Sequence, residues 1–140
     1  MTLENLLRVG KLKAQAADAA EIARLLESAA LALRDAGVTG LSNESRLDLG
    51  WKGIMQSALA AMRMQGYRPA TSEPGHHQLL IQALPKTAGI AIERIVVLEA
   101  FRKARNQLDY RGMPVQDAVA KECVEEGKRL LAEVRVRVSA

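Results

Sequence analysis

The residues best suited to chemistry lie where a run of charged and polar side chains joins an apolar helix pattern. Leu98, Phe101, Arg105 and Leu108 follow the three-and-four spacing of a helix face that packs on a core. A permanently charged guanidinium therefore takes a position that favours leucine, and burying a charge is costly unless it is paired. Arg105 must either meet a carboxylate or line a cleft that receives an anion. Asp109 lies four residues on and is a possible helical partner, so both interpretations stay open.

The surroundings of Arg105 resemble a known family. Arg105 and Asn106 come at the end of a long predicted helix, and a polar residue, a short turn and a last amphipathic helix follow them. This arrangement resembles the HEPN domain (higher eukaryotes and prokaryotes nucleotide-binding). Two further stretches resemble a bacterial branch of uncharacterised HEPN proteins, namely Gly66-Tyr67-Arg68-Pro69 and Gly75-His76-His77. The resemblance extends over residues 18–138.

The resemblance implies an all-helical bundle that forms a homodimer, with the paired motifs meeting across the interface. Many HEPN proteins are metal-independent ribonucleases, often the toxin of a toxin–antitoxin pair. Others bind nucleotides or assist a partner nucleotidyltransferase. The candidate catalytic residues on this chain are Arg105, Asn106 and Tyr110. The basic residues beside them are the candidate nucleic-acid contacts: Arg102, Lys103 and Arg111.

One position departs from the family pattern, which is an arginine followed a few residues later by a histidine. That histidine would fall at Tyr110, Arg111 or Gly112. Metal-free RNA cleavage needs a group that takes the proton of the 2′-hydroxyl; histidine titrates near 6.5 and tyrosine near 10. We therefore expect a nucleic-acid- or nucleotide-binding HEPN-like module with weak or no catalysis that acts with a partner protein. The alternatives are a metal-independent ribonuclease paired with an antitoxin, and a non-catalytic helical dimerisation protein.

The other reactive side chains predict no metal or cofactor site. His76 and His77 are adjacent, so on a helix they point about 100° apart and cannot share one metal. They suit a helix start or a dimer contact, and the delivery of an imidazole by a loop of a second subunit stays open. Cys123 has no recognisable catalytic partners and fits a small core residue. The sequence holds no glycine-rich phosphate-binding loop.

Length and composition limit the classes of protein to which this chain can belong. The 140 residues suit one domain, residues 1–140, and 20 basic against 16 acidic residues give a net charge of +4. This excess is too mild to mark a nucleic-acid coating protein. The longest stretch without a charged residue, 74–85, is too short to span a membrane. The start of the chain shows no secretory signal and Cys123 is the sole cysteine, so we expect a cytoplasmic protein without membrane attachment.

Helix-forming composition and apolar periodicity predict an antiparallel bundle of four or five helices. The predicted helices are 2–9, with Thr2 as its cap, 14 or 18 to 36, 42 or 43 to 65, 76–84, 86–109 and 115–136, with the longest loop over 67–75. Residues 134–138 alternate between valine and arginine, as a strand would. We assign them to the last helix because an isolated strand has nothing to pair with. Gly50 and Gly53 interrupt the third helix and predict close approach of a neighbouring helix or a second subunit. With Ala58 and Ala61 they form a small-residue face that suits the predicted homodimer.

Overall fold

The computed structural model describes residues 2–70 and 75–140. Within these ranges the chain forms seven helices and two short strands. The long helices are α2 (Ala19–Asp35), α3 (Asn43–Met64), α6 (Ile92–Arg111) and α7 (Asp117–Ser139). The short elements are α1 (Leu3–Arg8), β1 (Leu12–Ala14), β2 (Tyr67–Pro69), α4 (His76–Gln82) and α5 (Leu84–Thr87). The predicted all-α class is confirmed.

Side-chain caps start the first three helices at the residues that the sequence predicts. The side-chain oxygens of Thr2, Asp18 and Ser42 each accept a hydrogen bond from a backbone N–H in the first turn that follows. These N–H groups have no partner inside the helix, so a capping oxygen stabilises the start. Of the two predicted starts for α2, the one at Asp18 is correct, because Ala14 belongs to β1.

The predicted helix over 86–109 begins later than expected. Leu84–Thr87 forms α5, with Pro85 in its first turn, where a missing N–H breaks no helical hydrogen bond. Gly89 then adopts a left-handed conformation with φ of 66°, and the chain turns before α6 begins at Ile92. At the other end, α7 continues through residues 134–138 to Ser139, so the helical assignment of this alternating segment is confirmed.

The two strands were not predicted. β1 and β2 pair antiparallel, with Leu12 opposite Pro69 and Ala14 opposite Tyr67. Residues 67–69 were predicted as part of the longest loop, and three-residue strands carry too little periodicity to be recognised. Residues 71–74 of that predicted loop lie outside the described residues. The small sheet joins the segment before α2 to the segment after α3.

The long helices alternate in direction along the chain. Glu21, near the start of α2, pairs with Arg63 near the end of α3, so these two helices are antiparallel. Arg46 and Asp117, near the starts of α3 and α7, pair with each other, so α3 and α7 are parallel. α3 lies at the centre of the fold and makes its largest interface with α7. None of the helices in the described part of the chain is long and apolar enough to cross a membrane.

Glycines allow α2, α3 and α7 to approach closely. A Cβ at Gly53 would lie 2.6 Å from a leucine side chain of α2, and one at Gly127 would lie 3.1 Å from the carbonyl oxygen of Gly50. Ala58 and Ala61 are buried as well. The small-residue face therefore packs against neighbouring helices of the same chain. It does not form a dimer surface, and the homodimer stays a prediction without this support.

Candidate functional site

Three polar side chains of α6 line one cleft. Arg102, Arg105 and Asn106 are spaced by three and four residues, so they share one face of the helix. Leu98 and Phe101 are buried and hold the preceding turns of α6 on the core. The stripe that the sequence predicts is confirmed, because Arg105 and Leu108 continue it as half-buried side chains and Leu108 packs against the core.

Arg105 is paired with a carboxylate of α3. Its Nε donates a hydrogen bond to Asp48 Oδ1 over 3.1 Å, and the two side chains are 31% and 53% exposed. Asp109, the partner suggested by helical spacing, is exposed and forms no ion pair with a described residue. The correct partner comes from another helix, because the packing of α6 on α3 brings Asp48 closer than the side chain one turn along α6.

Arg102 is paired with a carboxylate of its own helix. Its Nε and Nη2 contact Glu99 Oε2 at 3.0 and 2.9 Å. Glu99 Oε1 is buried and has no hydrogen-bond partner among the described residues. Within the same residues, no hydrogen bond involves Nη1 of Arg102 or either Nη group of Arg105. Both guanidinium groups are thus held in place by carboxylates and keep N–H donors for a ligand.

The cleft between α3, α4 and α6 has a volume of about 160 Å³. Trp51 of α3 contributes a buried aromatic wall, and the other contributions come from the start of α4: Gly75, His77 and Gln78. Pockets that enclose drug-sized molecules have volumes of roughly 300–1,000 Å³. The cleft therefore suits a group about the size of a phosphate rather than a whole nucleotide.

The remaining predicted site residues lie outside this set. Tyr110 is 85% exposed and does not line the cleft. Lys103 and Arg111 are exposed on the surface of α6, and Arg111 is its last residue. Of the six predicted residues, the structure brings together Arg102, Arg105 and Asn106 and leaves the other three on the surface.

His77 is the titratable cleft residue that the sequence did not connect with Arg105. Its pKa lies below the usual value of 6.5, first because partial burial disfavours the charged ring and then because His76 and Arg105 repel positive charge. At neutral pH its imidazole is therefore unprotonated and can accept a proton. The histidine pair was visible in the sequence, but no spacing rule indicated that α4 would meet α6.

Cys123 is not a reactive group. Its side chain is fully buried, and Sγ lies 3.8 Å from the carbonyl oxygen of Leu47. Burial raises the pKa of the thiol to about 12, so it stays protonated. The expected role as a small core residue is confirmed. In the described ranges, no group of three or more His, Cys, Asp and Glu side chains is arranged to hold a metal ion.

The cleft combines guanidinium donors, a carboxamide and a neutral imidazole within a small volume. Such a set can bind an anionic oxygen and can accept a proton beside it. Comparisons of the chain with protein-family models, curated proteins and solved structures found no match.

Proposed function

We propose that this chain is a nucleic-acid- or nucleotide-binding module of the HEPN type whose cleft holds a phosphate group of the ligand. The main support is that Arg102, Arg105 and Asn106 line one cleft of about 160 Å³. Guanidinium N–H groups match the geometry of phosphate oxygens, and charge-assisted bonds of this kind are stronger than neutral ones. The amide of Asn106 adds a further donor.

The charges around the cleft indicate how such a phosphate is held. Glu99 and Asp48 each pair with one cleft arginine, so the four formal charges cancel. Attraction must then come from short-range hydrogen bonds to the Nη groups rather than from a strongly positive field. We expect a modest affinity and a shallow dependence on salt, because few phosphates are neutralised.

The homodimer belongs to the same proposal, together with a partner protein such as an antitoxin or a nucleotidyltransferase. Ile92 and Val96 support it, since they lie one turn apart on α6 and are 71% and 70% exposed. Exposed apolar side chains on one helix face suit contact with another protein surface. Light scattering tests the dimer, and a monomer at micromolar concentration would contradict it.

Arg105→Ala tests the binding function. We expect binding of a single-stranded RNA oligonucleotide, or of ATP, to weaken about ten- to a hundredfold, because one charge-assisted contact of about 1.5–3 kcal/mol is lost. Stability should change by less than about 1 kcal/mol, because the Arg105–Asp48 pair is partly exposed. Asp48→Asn should strengthen the binding of the same ligands, since it removes a negative charge that competes with phosphate.

Arg24→Ala is the matched control. Arg24 is exposed on α2 and is outside the cleft, so its loss changes the net charge equally. We expect this variant to bind within about twofold of the wild type. If Arg105→Ala binds both ligands as well as the wild type does, or if it mainly lowers the melting temperature, Arg105 is structural and the proposal is wrong.

A further inference from the structure

A groove runs between α2 and α7, on a part of the fold that the cleft does not use. It consists of two consecutive cavities with volumes of about 600 and 500 Å³, and Arg135 lines both of them. On α2 the first cavity extends from Ala19 to Glu27 and the second from Ala30 to Arg34. Because a helix rises by about 1.5 Å per residue, the α2 side of this α2–α7 groove is about 22 Å long.

The α2–α7 groove has an apolar floor and walls of small residues. The floor consists of aliphatic side chains that the core already holds in place, among them Ile22, Leu26 and Leu131. The walls include alanines that are exposed or half-buried, namely Ala23, Ala30 and Ala132. Short side chains allow another helix to approach to the usual interaxial distance of about 8–10 Å. A groove of this kind suits the apolar face of an amphipathic helix.

Basic side chains border the same groove. Arg34, Lys128 and Arg135 line it, and Glu27 is the one acidic residue among its described lining residues. Arg34 pairs with Asp35 but stays 73% exposed, so its guanidinium is still accessible to a partner. An excess of positive charge favours a partner with negative charge. It also disfavours contact of the groove with itself in a two-fold dimer, because that contact brings the cations of two copies together.

We propose that the α2–α7 groove binds an acidic amphipathic helix of another protein, about four turns long. The apolar side chains of this helix pack on the floor, and carboxylates on its flanks pair with Lys128 and Arg135. The apolar floor favours a helix over a nucleic-acid strand, since phosphates gain nothing from contact with leucine. The groove shares no lining residue with the cleft between α3, α4 and α6, so the proposal does not depend on phosphate binding.

The first measurement is fluorescence anisotropy with the full chain and a labelled synthetic peptide of about 16 residues, four to five helical turns. The peptide has leucine at the spacing of one helix face and glutamate at the flanking positions. We expect saturable binding with a dissociation constant of about 10 μM, which becomes weaker as the salt concentration rises because the flanking charges are exposed. A peptide with the same leucines and lysine in place of glutamate should bind at least about tenfold more weakly.

Reversing two charges of the groove tests the pairing. In a variant that combines Lys128→Glu with Arg135→Glu, the acidic peptide should bind at least about tenfold more weakly, and the lysine peptide should bind more tightly than it does to the wild type. Lys52→Glu with Lys121→Glu is the matched control, because both residues are exposed outside the groove and the net charge changes equally. This control should bind both peptides within about threefold of the wild type. If the wild type does not bind the acidic peptide, or if the reversed variant does not exchange its preference, the proposal is overturned.

Filling the groove tests the apolar contact. Ala23→Gln places a longer side chain in the wall and should weaken binding of the acidic peptide about tenfold, whereas Ala20→Gln, exposed on α2 outside the groove, should bind it within about twofold of the wild type. If a single-stranded RNA competes with the peptide and the reversed variant loses this RNA, the groove binds nucleic acid. If light scattering shows a dimer that both the peptide and Ala23→Gln separate, the groove binds a second copy of the chain. Either result overturns the proposal and leaves the function of the cleft untouched.

Discussion

Arg63 is the arginine on which the fold depends most, and we predict that Arg63→Met destabilises it strongly. Its side chain is 1% exposed. Nε donates to a carboxylate oxygen of Glu21, and the Nη groups donate to the carbonyl oxygens of Gln15, Ala16 and Tyr67 at 2.9, 2.8 and 3.2 Å. One guanidinium therefore joins the end of α3 to the segment before α2, to α2 itself and to β2.

The magnitude follows from the burial of this side chain. Removing one partner of a buried ion pair costs about 3–5 kcal/mol, because the remaining polar groups lose their partner. Methionine keeps the length of the apolar stem, so the lost hydrogen bonds dominate the change. For a chain of this size, each kcal/mol lowers the melting temperature by roughly 2–4 °C. We therefore expect a fall of about 6–20 °C.

Arg68→Met is the matched control, because Arg68 pairs with the other oxygen of the same Glu21 carboxylate but is 32% exposed. A partly exposed pair contributes about 0–1 kcal/mol, so this variant should melt within a few degrees of the wild type. Thermal and urea unfolding followed by far-ultraviolet circular dichroism measures both. If Arg63→Met lowers the free energy of unfolding by less than about 1 kcal/mol, or if Arg68→Met lowers it equally, the assignment of Arg63 as the buried residue that joins these segments is wrong.

Three further predictions concern packing, acid stability and the cysteine. Gly127→Ala should lower the free energy of unfolding in urea by about 1–3 kcal/mol, because the new Cβ would lie 2.7 Å from Leu33 Cδ2. This loss should outweigh the better helix propensity of alanine. Equal or greater stability would contradict the close packing of α7. The pKa of Glu21 is lowered below 4.5, mainly by its hydrogen bond from Arg63, so this carboxylate stabilises the fold above that pH and the contribution is lost as the pH falls below it. Unfolding measured between pH 3 and 7 should therefore show a smaller loss at acid pH in Glu21→Gln than in the wild type, and parallel curves would refute the assignment. Cys123 should not react with a thiol reagent until the chain unfolds, because its thiol is buried and has a pKa of about 12. Fast labelling of the native protein would contradict this prediction.

Features that depend on neighbouring residues could be predicted from the sequence. Thr2 caps α1 as expected, and α2 and α3 begin at predicted starts with Asp18 and Ser42 as their caps, because a cap needs only its own side chain and the first turn that follows. Leu98, Phe101 and Arg105 share a face, because helical periodicity is set by the backbone. The start of α6 was misplaced, since a left-handed turn at Gly89 divides a pattern that continuous periodicity would extend.

The apolar periodicity alone shows that a charged side chain interrupts the stripe at Arg105 and must be accommodated there. How it is accommodated depends on segments far away along the chain. Asp48, 57 residues away, takes the place of Asp109, and His77 reaches the same cleft from α4. Likewise, Gly50 and Gly53 pack inside the chain instead of at a dimer surface. The physical reason is the same in each case: contacts between distant segments depend on which helix faces pack together, and that choice minimises the free energy of the whole core rather than of any one segment.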